Sequence, residues 1–159
     1  MLVLNNLIGE IFSNVPLSPH LKLRDSKQST RHSFIDMGDD EFTRGIPHPM
    51  IDFTLRNQRI IQEAEEKEVG VILLDVVLGY GAHPDPAGAL KEALQEARKR
   101  RGEYLCFIAH ICGVKDDPQD YEKQKTLLEE EGVLLFPSNA QAARFAALVI
   151  TRGTSWNRI

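Results

Sequence analysis

The sequence lacks a long hydrophobic run, an excess of positive charge and a framework of cysteines. No apolar stretch approaches the roughly 20 residues that span a membrane, and no basic segment followed by a long apolar one opens the chain. The formal charge of -4 provides no general attraction to nucleic acid or to an anionic membrane. With 159 residues the chain fits one domain, which we expect to be soluble and cytoplasmic and to bind neither nucleic acid nor membrane.

The sequence contains two cysteines, and these cannot form a bridge with each other. Cys106 and Cys112 lie in or beside one predicted strand, which places their Cα atoms roughly 20 Å apart if both residues are extended. A disulfide spans far less than that distance. We therefore predict two buried free thiols.

Apolar runs alternate with segments of helical spacing over most of the chain. Asp85-Pro86 and Asp117-Pro118 each open a helical segment, because Asp caps the free amides of a first turn and Pro has no amide to lose there. We predict strands at 11–14, 33–37, 69–78, 104–111 and 133–136, and helices at 51–66, 86–101, 118–131 and from 137 to about 150.

This alternation predicts an α/β fold with a parallel sheet between two layers of helices, of the flavodoxin or Rossmann kind. We divide the chain into residues 1–31, a partial helix and extended loop, residues 32–150, the α/β domain, and residues 151–159, a tail without pattern. The strand-to-helix loops then fall on one edge of the sheet, where open α/β folds bind ligands.

The loop between residues 79 and 85 is the most promising part of that edge. We predict His83 as the catalytic acid or base, because an imidazole can titrate near neutrality. Glycine backbones can approach a ligand closely, and the amino ends of helices offer free N–H groups. The predicted substrate-binding residues at this edge are Gly38, Asp39, Gly79, Tyr80, Gly81, Ser138 and Asn139.

Simpler explanations exist for the same residues. Asp85 and Asp117 are anions that already occupy the cap positions, and a tight turn without a ligand also explains the glycines. The three consecutive acidic residues 39–41 are typical of a solvated loop, so we predict no metal site. Asp75 interrupts a buried run, and a desolvated carboxylate needs partners, so we expect it at the strand end or bonded to a neighbouring loop.

Three longer segments carry a family resemblance: His32 to Thr43, Pro47 to Asp52 and Val71 to Ala87, followed in order by Asp117-Pro118-Gln119 and Ser138-Asn139-Ala140. Together they resemble the FdrA family, whose carboxyl-terminal part is similar to the ligase domain of the succinyl-CoA synthetase alpha subunit. The resemblance covers about residues 9 to 150. It implies a flavodoxin-like ligase domain that takes part in acyl or carbamoyl transfer, including oxamate carbamoyl transfer in purine and allantoin catabolism. CoA or a nucleotide is a cofactor expected of the full-length family, with none established for this chain.

The chain departs from the family pattern in two ways. Succinyl-CoA synthetases carry a phosphohistidine in a Gly-His-Ala-Gly-Ala loop, and the matching place here, Gly113 to Gln119, has no histidine. The family's upstream CoA-binding domain and its first strand, which ends in Ser-Gly-Gly-Thr-Leu, are not in this sequence. We therefore expect transfer of a preformed group to a small-molecule substrate, by an enzyme component that forms a homo-oligomer or needs a partner subunit. The alternative is a non-catalytic binding or scaffolding subunit, or a truncated remnant that needs a partner.

Overall fold

The computed structural model of the protein describes residues 1–156, with side chains described through Arg152. Within this range short 3-10 turns occupy Pro19–Leu21 and Gly102–Tyr104. No helix in it is long and apolar enough to cross a membrane. The helices are α1 (Leu2–Ile8), α2 (Asp40–Thr43), α3 (Thr54–Glu65), α4 (Pro86–Arg101), α5 (Tyr121–Glu130) and α6 (Asn139–Trp156), and the strands are β1 (Phe12–Ser13), β2 (Ser33–Phe34), β3 (Val71–Val77), β4 (Cys106–Cys112) and β5 (Leu134–Leu135).

The paired strands are all parallel and form two sheets. In the larger sheet the order is β3-β4-β5, with Val71 opposite Cys106 and Ile108 opposite Leu134. β1 and β2 pair with each other in a separate sheet. Because strands alternate with helices and pair in parallel, the structure confirms the predicted α/β fold.

Helices cover both faces of the larger sheet. Side chains of β3 and β4 alternate between the faces, as the period of a strand requires. On one face the main core contains buried residues of α3, α4 and α5, packed around Phe107 and Val76. On the other face α6 packs Ala142 and Ala146 on Ile108, and α1 packs on α6. We call this second side the α6 face.

Local signals explain the best-defined helix, α4. The Asp85 carboxylate accepts a hydrogen bond from the Gly88 amide at 3.3 Å, and Pro86 is the first helical residue. Gly102 ends the helix with a φ of 58°, a value that glycine adopts without strain. Leu90, Leu94 and Ala97 are fully buried along one side. The predicted bounds of this helix, residues 86–101, are confirmed.

Strand β3 is paired on one side only within the described residues. The Leu78 amide donates to the Cys112 carbonyl, and the Cys106 amide donates to the Gly70 carbonyl. The even-numbered residues of β3 therefore direct their backbone groups toward β4, and the odd-numbered residues direct theirs toward the open edge. Arg56 Nη1 donates to the Asp75 carbonyl oxygen on that edge at 2.9 Å.

Several predicted boundaries differ from those observed. The second predicted Asp-Pro cap was wrong, because α5 begins at Tyr121 and its cap is Asp120, which accepts from the Lys123 amide. The Asp117 carboxylate instead accepts from the Val114 amide within the preceding loop. β2 ends at Phe34, three residues before the predicted end. α6 continues beyond the predicted end at residue 150 through Trp156, and residues 157–159 of the predicted tail lie outside the described residues.

Candidate functional site

The carboxyl ends of β3, β4 and β5 lie on one edge of the sheet, as parallel pairing requires. The loop after β3 contains Gly79, Tyr80 and Gly81, and the Tyr80 side chain is 92% exposed. Gly79 and Gly81 have φ values of 117° and 87°, which favour glycine. We call residues 79–85 the β3 loop.

The Gln119 side chain holds the β3 loop through three hydrogen bonds. Its side-chain oxygen accepts from the Gly79 amide at 3.0 Å, and its nitrogen donates to the Gly79 carbonyl at 2.9 Å and to the His83 carbonyl at 3.2 Å. The Gly79 amide is therefore occupied and cannot bind a ligand. The amides of Tyr80 and Gly81 have no hydrogen-bond partner among the described residues.

A second buried glutamine, Gln124, holds the start of α4. Its oxygen accepts from the Ala87 amide at 2.8 Å, and its nitrogen donates to the Asp85 carboxylate at 2.9 Å and to the Gln119 carbonyl at 3.2 Å. Neither glutamine was predicted from the sequence to have a role. Each could have been found in the sequence. Gln119 belongs to the Asp117-Pro118-Gln119 segment, and Gln124 occupies an inward position on α5.

The hydrogen bonds of His83 define which ring nitrogen carries its hydrogen. Nδ1 accepts from the Asp85 amide at 3.0 Å, so the neutral ring carries its hydrogen on Nε2. The ring packs edge-on to Phe53 with centroids 5.3 Å apart. In this state His83 can donate a hydrogen bond from Nε2 but has no free lone pair to act as a base.

The predicted Gly38 region lies next to the β3 loop. The His83 amide donates to the Met50 carbonyl at 2.8 Å, and His48 Nδ1 accepts from the Met50 amide at 3.1 Å. The His48 ring lies so close to Gly38 that a β-carbon at that position would overlap Nε2. The Asp39 carboxylate is occupied as the cap of α2, accepting from the Glu41 amide. The structure thus connects Gly38 to His83 through the segment from His48 to Met50.

Ser138 and Asn139 lie at the end of β5, two strands away from the β3 loop. With strands about 4.8 Å apart, this separation is on the order of 10 Å. The Ser138 hydroxyl accepts from the Gln141 amide at 3.3 Å and so caps α6. An apolar groove lies beside this start of α6 and is lined by Phe136, Pro137, Gln141, Arg144, Phe145 and Leu148.

Two carboxylates flank His83. Hydrogen bonds from Thr54, including one from its backbone amide at 2.8 Å, lower the pKa of Asp52, and a hydrogen bond from the Gln124 side-chain nitrogen lowers the pKa of Asp85. A smaller contribution to both shifts comes from His83. Ionised carboxylates repel phosphate oxygens. The β3 loop therefore suits a neutral carbonyl group better than a polyphosphate.

Three residues differ from expectation at the ends of β3 and β4. Asp75 was predicted within a run covered on both faces, but it is exposed on the α6 face, whereas the next residue, Val76, is fully buried on the other face. Cys112 was predicted to be buried and is exposed, whereas Cys106 is partly buried, and both thiols are free. His110 lies within β4, and its Nδ1 is 3.1 Å from the Phe136 carbonyl oxygen.

Among the described residues, no group of His, Cys, Asp and Glu could hold a metal ion.

The sequence matches the CoA-ligase family over residues 6–149, nearly the whole chain. This chain belongs to the CoA-ligase family. It is also 40% identical over 148 residues to YahF of Escherichia coli (strain K12), an uncharacterized protein. That similarity covers 91% of this chain and 29% of YahF, so the chain spans less than a third of that relative's length.

Membership of the CoA-ligase family makes CoA or a nucleotide relevant to the family as a whole. The geometry of the β3 loop does not fit the phosphates of either compound, because the Asp52 and Asp85 carboxylates flank His83. The free amides of Tyr80 and Gly81 suit a single carbonyl oxygen instead.

Proposed function

We propose that this chain is the ligase-like domain of an FdrA-type, acyl-CoA synthetase-related protein and takes part in acyl or carbamoyl group transfer. Oxamate carbamoyl transfer in purine and allantoin catabolism is the specific reaction that we propose. The supporting observation is the β3 loop, where a histidine N–H and two unpaired amides lie at the carboxyl edge of a CoA-ligase domain.

In this proposal the carbonyl oxygen of the transferred group binds at the β3 loop. His83 Nε2 and the amides of Tyr80 and Gly81 donate hydrogen bonds to that oxygen. Negative charge develops on the oxygen when a nucleophile adds to the carbonyl carbon, so fixed donors stabilise the transition state. One such donor typically contributes about 100- to 1,000-fold to the rate. The loop after β4, Gly113 to Gln119, has no histidine, which supports transfer of a preformed group over ligation through a phosphohistidine.

Titration calorimetry with oxamate, carbamoyl phosphate and CoA tests this proposal. We expect oxamate to bind through its neutral amide carbonyl, and His83→Ala to weaken that binding about tenfold, because loss of a single good hydrogen bond costs on the order of 1 kcal/mol or more. His20→Ala is the matched control, since His20 is exposed on the turn at residues 19–21, outside the β3 loop. If oxamate does not bind, or if His83→Ala binds it as tightly as the wild type, the proposal is wrong.

We propose as a second candidate that the chain is a non-catalytic subunit that self-associates through the open edge of β3. Unpaired strand edges readily pair with a strand of another molecule. Val71, Leu73 and Val77 present unpaired backbone groups there within the described residues, and only the Asp75 carbonyl is bonded, to Arg56. The occupant would be β3 of a second copy, in an isologous dimer.

Amide hydrogen exchange distinguishes this second candidate from the first. In a dimer through β3, the amides of Val71, Leu73 and Val77 exchange more slowly at high protein concentration than at low concentration, because pairing removes them from water. The even-numbered residues of β3, already bonded to β4, serve as the internal control. A monomer at all concentrations in sedimentation velocity, with fast exchange at the three odd positions, rules the dimer out.

A further inference from the structure

Three reactive side chains share the α6 face at the ends of β3 and β4. Val71 and Leu73 of β3, and Cys106 and Ile108 of β4, pack on this face. Side chains two positions further along a strand return to the same face. Asp75, His110 and Cys112 therefore all point to the α6 face, and we call them the Asp75–His110–Cys112 cluster.

Strand geometry makes these three side chains neighbours on the α6 face. Asp75 and His110 are direct partners in the parallel register, and neighbouring strands lie about 4.8 Å apart. Cys112 follows His110 by two residues, which is about 6.5 Å along the strand. No direct hydrogen bond joins the three side chains among the described residues. Catalytic hydrogen bonds are often long before a substrate binds and shorten in the complex.

His110 has the tautomer of a general base. Its Nδ1 lies 3.1 Å from the Phe136 carbonyl oxygen, and a carbonyl oxygen only accepts. Nδ1 therefore carries the hydrogen, and Nε2 of the neutral ring has a free lone pair. His83 has the opposite arrangement, because its Nδ1 accepts from the Asp85 amide. The acceptor of a proton at this edge is therefore His110 and not His83.

Cys112 is more exposed than Cys106, as expected of a nucleophile. Cys112 is exposed at the end of β4, and its carbonyl bonds the Leu78 amide directly before the β3 loop. Cys106 lies in the same strand on the same face but is partly buried, and that burial raises the pKa of its thiol. A thiol must ionise to react, so burial makes Cys106 less reactive. Cys106 therefore serves as an internal control for the reactivity of Cys112.

The start of α6 adds hydrogen-bond donors on the same face. α6 packs across β3 and β4, and it begins at Asn139 after β5. The first amides of a helix have no partner within the helix. Ser138 satisfies the Gln141 amide, so the amides of Asn139 and Ala140 stay available at this end. These amides, with the positive end of the helix dipole, suit an anionic group of the substrate, whereas the carbonyl oxygen binds at the β3 loop.

We propose that Cys112 is the nucleophile of the transfer reaction, with His110 as its general base and Asp75 as the residue that stabilises the charged imidazole. This assignment rests on the proposed acyl or carbamoyl transfer. The Cys112 sulfur forms a bond to the carbonyl carbon of the donor, and His110 Nε2 takes the thiol hydrogen. The bond to the leaving group then breaks, and His110 returns the proton to that group. A thioester or thiocarbamate remains on Cys112, from which an acceptor amine, hydroxyl or thiol removes the acyl or carbamoyl group.

Acylation by p-nitrophenyl acetate tests the cluster without knowledge of the natural donor. The release of p-nitrophenolate gives the rate, and fragmentation mass spectrometry of the acetylated peptide locates the acetyl group. We expect acetylation at Cys112 in the wild type and in the matched control Cys106→Ser, and none at residue 112 in Cys112→Ser. His110→Asn keeps a donor to the Phe136 carbonyl but removes the base, so its rate at pH 7 falls about 100-fold.

The pH dependence separates a base from a merely structural role. Without its base, the Cys112 thiol of His110→Asn depends on hydroxide to remove its proton, and the thiolate is the reactive form. The ratio of the wild-type rate to the variant rate should therefore shrink as the pH rises. Asp75→Asn should lower the rate at pH 7 by a smaller factor, about tenfold, because it acts only on the imidazole. Circular dichroism and thermal unfolding confirm that each variant is folded.

Acetylation of Cys112 at the same rate and with the same pH dependence in His110→Asn overturns the assignment, as does acetylation at Cys106 alone. That failure is distinguishable from failure of the proposed function. The cluster is tested by thiol chemistry with a synthetic ester, whereas the proposed function is tested by ligand binding and by His83→Ala. Binding of oxamate with an unreactive Cys112 would keep the function and reject the nucleophile.

Discussion

Gln124→Leu lowers the free energy of unfolding by about 2–4 kcal/mol in urea denaturation. Gln124 is fully buried and makes three hydrogen bonds, to the Ala87 amide, the Asp85 carboxylate and the Gln119 carbonyl. Leucine fills a similar volume but makes none of these bonds, so buried polar groups lose their partner. The cost of each such group is about 1–3 kcal/mol, whereas an ordinary exposed hydrogen bond contributes much less.

Gln95→Leu is the matched control for this change. Gln95 is exposed on α4 and donates to the Glu131 carboxylate at 2.9 Å. An exposed substitution of this kind changes stability by about 0.5 kcal/mol or less. Equal stabilities of the two variants would contradict the view that Gln124 organises the start of α4. We also expect the Gly88 amide to exchange faster in Gln124→Leu, because the Asp85 cap loses the bond that orients it.

Gly113→Ala lowers the free energy of unfolding by about 1–3 kcal/mol. A β-carbon on Gly113 would lie 2.7–2.8 Å from the Cβ, Cγ and Cδ1 atoms of Leu78, which is buried. Real β-carbons do not approach carbon atoms this closely, so the ends of β3 and β4 must move apart. Because Cys112 and Gly79 adjoin these two residues, we expect the same change to slow the acetylation of Cys112.

Two further variants isolate the clash at Gly113. Gly70→Ala introduces the same methyl group where no atom lies within 4 Å, so it should be neutral or should stabilise the fold by about 0.4–1 kcal/mol through the unfolded state. Leu78→Gly removes all three obstructing atoms, including the Cβ at 2.7 Å, and Gly113→Ala should then cost less in that background. Additive effects of the two substitutions in a double-mutant cycle would show that the clash is not the cause.

The sequence was sufficient to predict the fold where signals for the start and the end of an element agreed. Helix α4 has Asp85-Pro86 before it and Gly102 after it, and its predicted bounds match the structure. Asp117-Pro118 looks the same in sequence but starts no helix, because Asp117 bonds back to the Val114 amide and a φ of 60° at Asp120 turns the chain first. A local pattern cannot reveal which of several acids reaches the free amides.

The candidate site was less predictable because its chemistry depends on contacts between distant segments. The sequence identified the β3 loop and His83, but the tautomers of His83 and His110 follow from their partners, the Asp85 amide and the Phe136 carbonyl. The exposure of Asp75 depends on which part of each face of β3 the helices cover, since Val76 is fully buried on the opposite face. Helix packing is tertiary, so a continuous apolar run alone does not reveal it.

The separation of the two sheets affects how this protein unfolds locally. Within residues 1–156 no backbone ladder joins β1–β2 to the larger sheet, and side-chain bonds such as Arg59 to the Ser26 carbonyl connect the portion after α1 to α3. Such a portion can detach as its own cooperative unit while the three-stranded sheet persists. The segment from Gly38 to Met50 follows that portion, and its Met50 carbonyl supports His83. Transient detachment would then remove the Met50 support of His83, so local unfolding of the amino-terminal portion and loss of order in the β3 loop would be coupled.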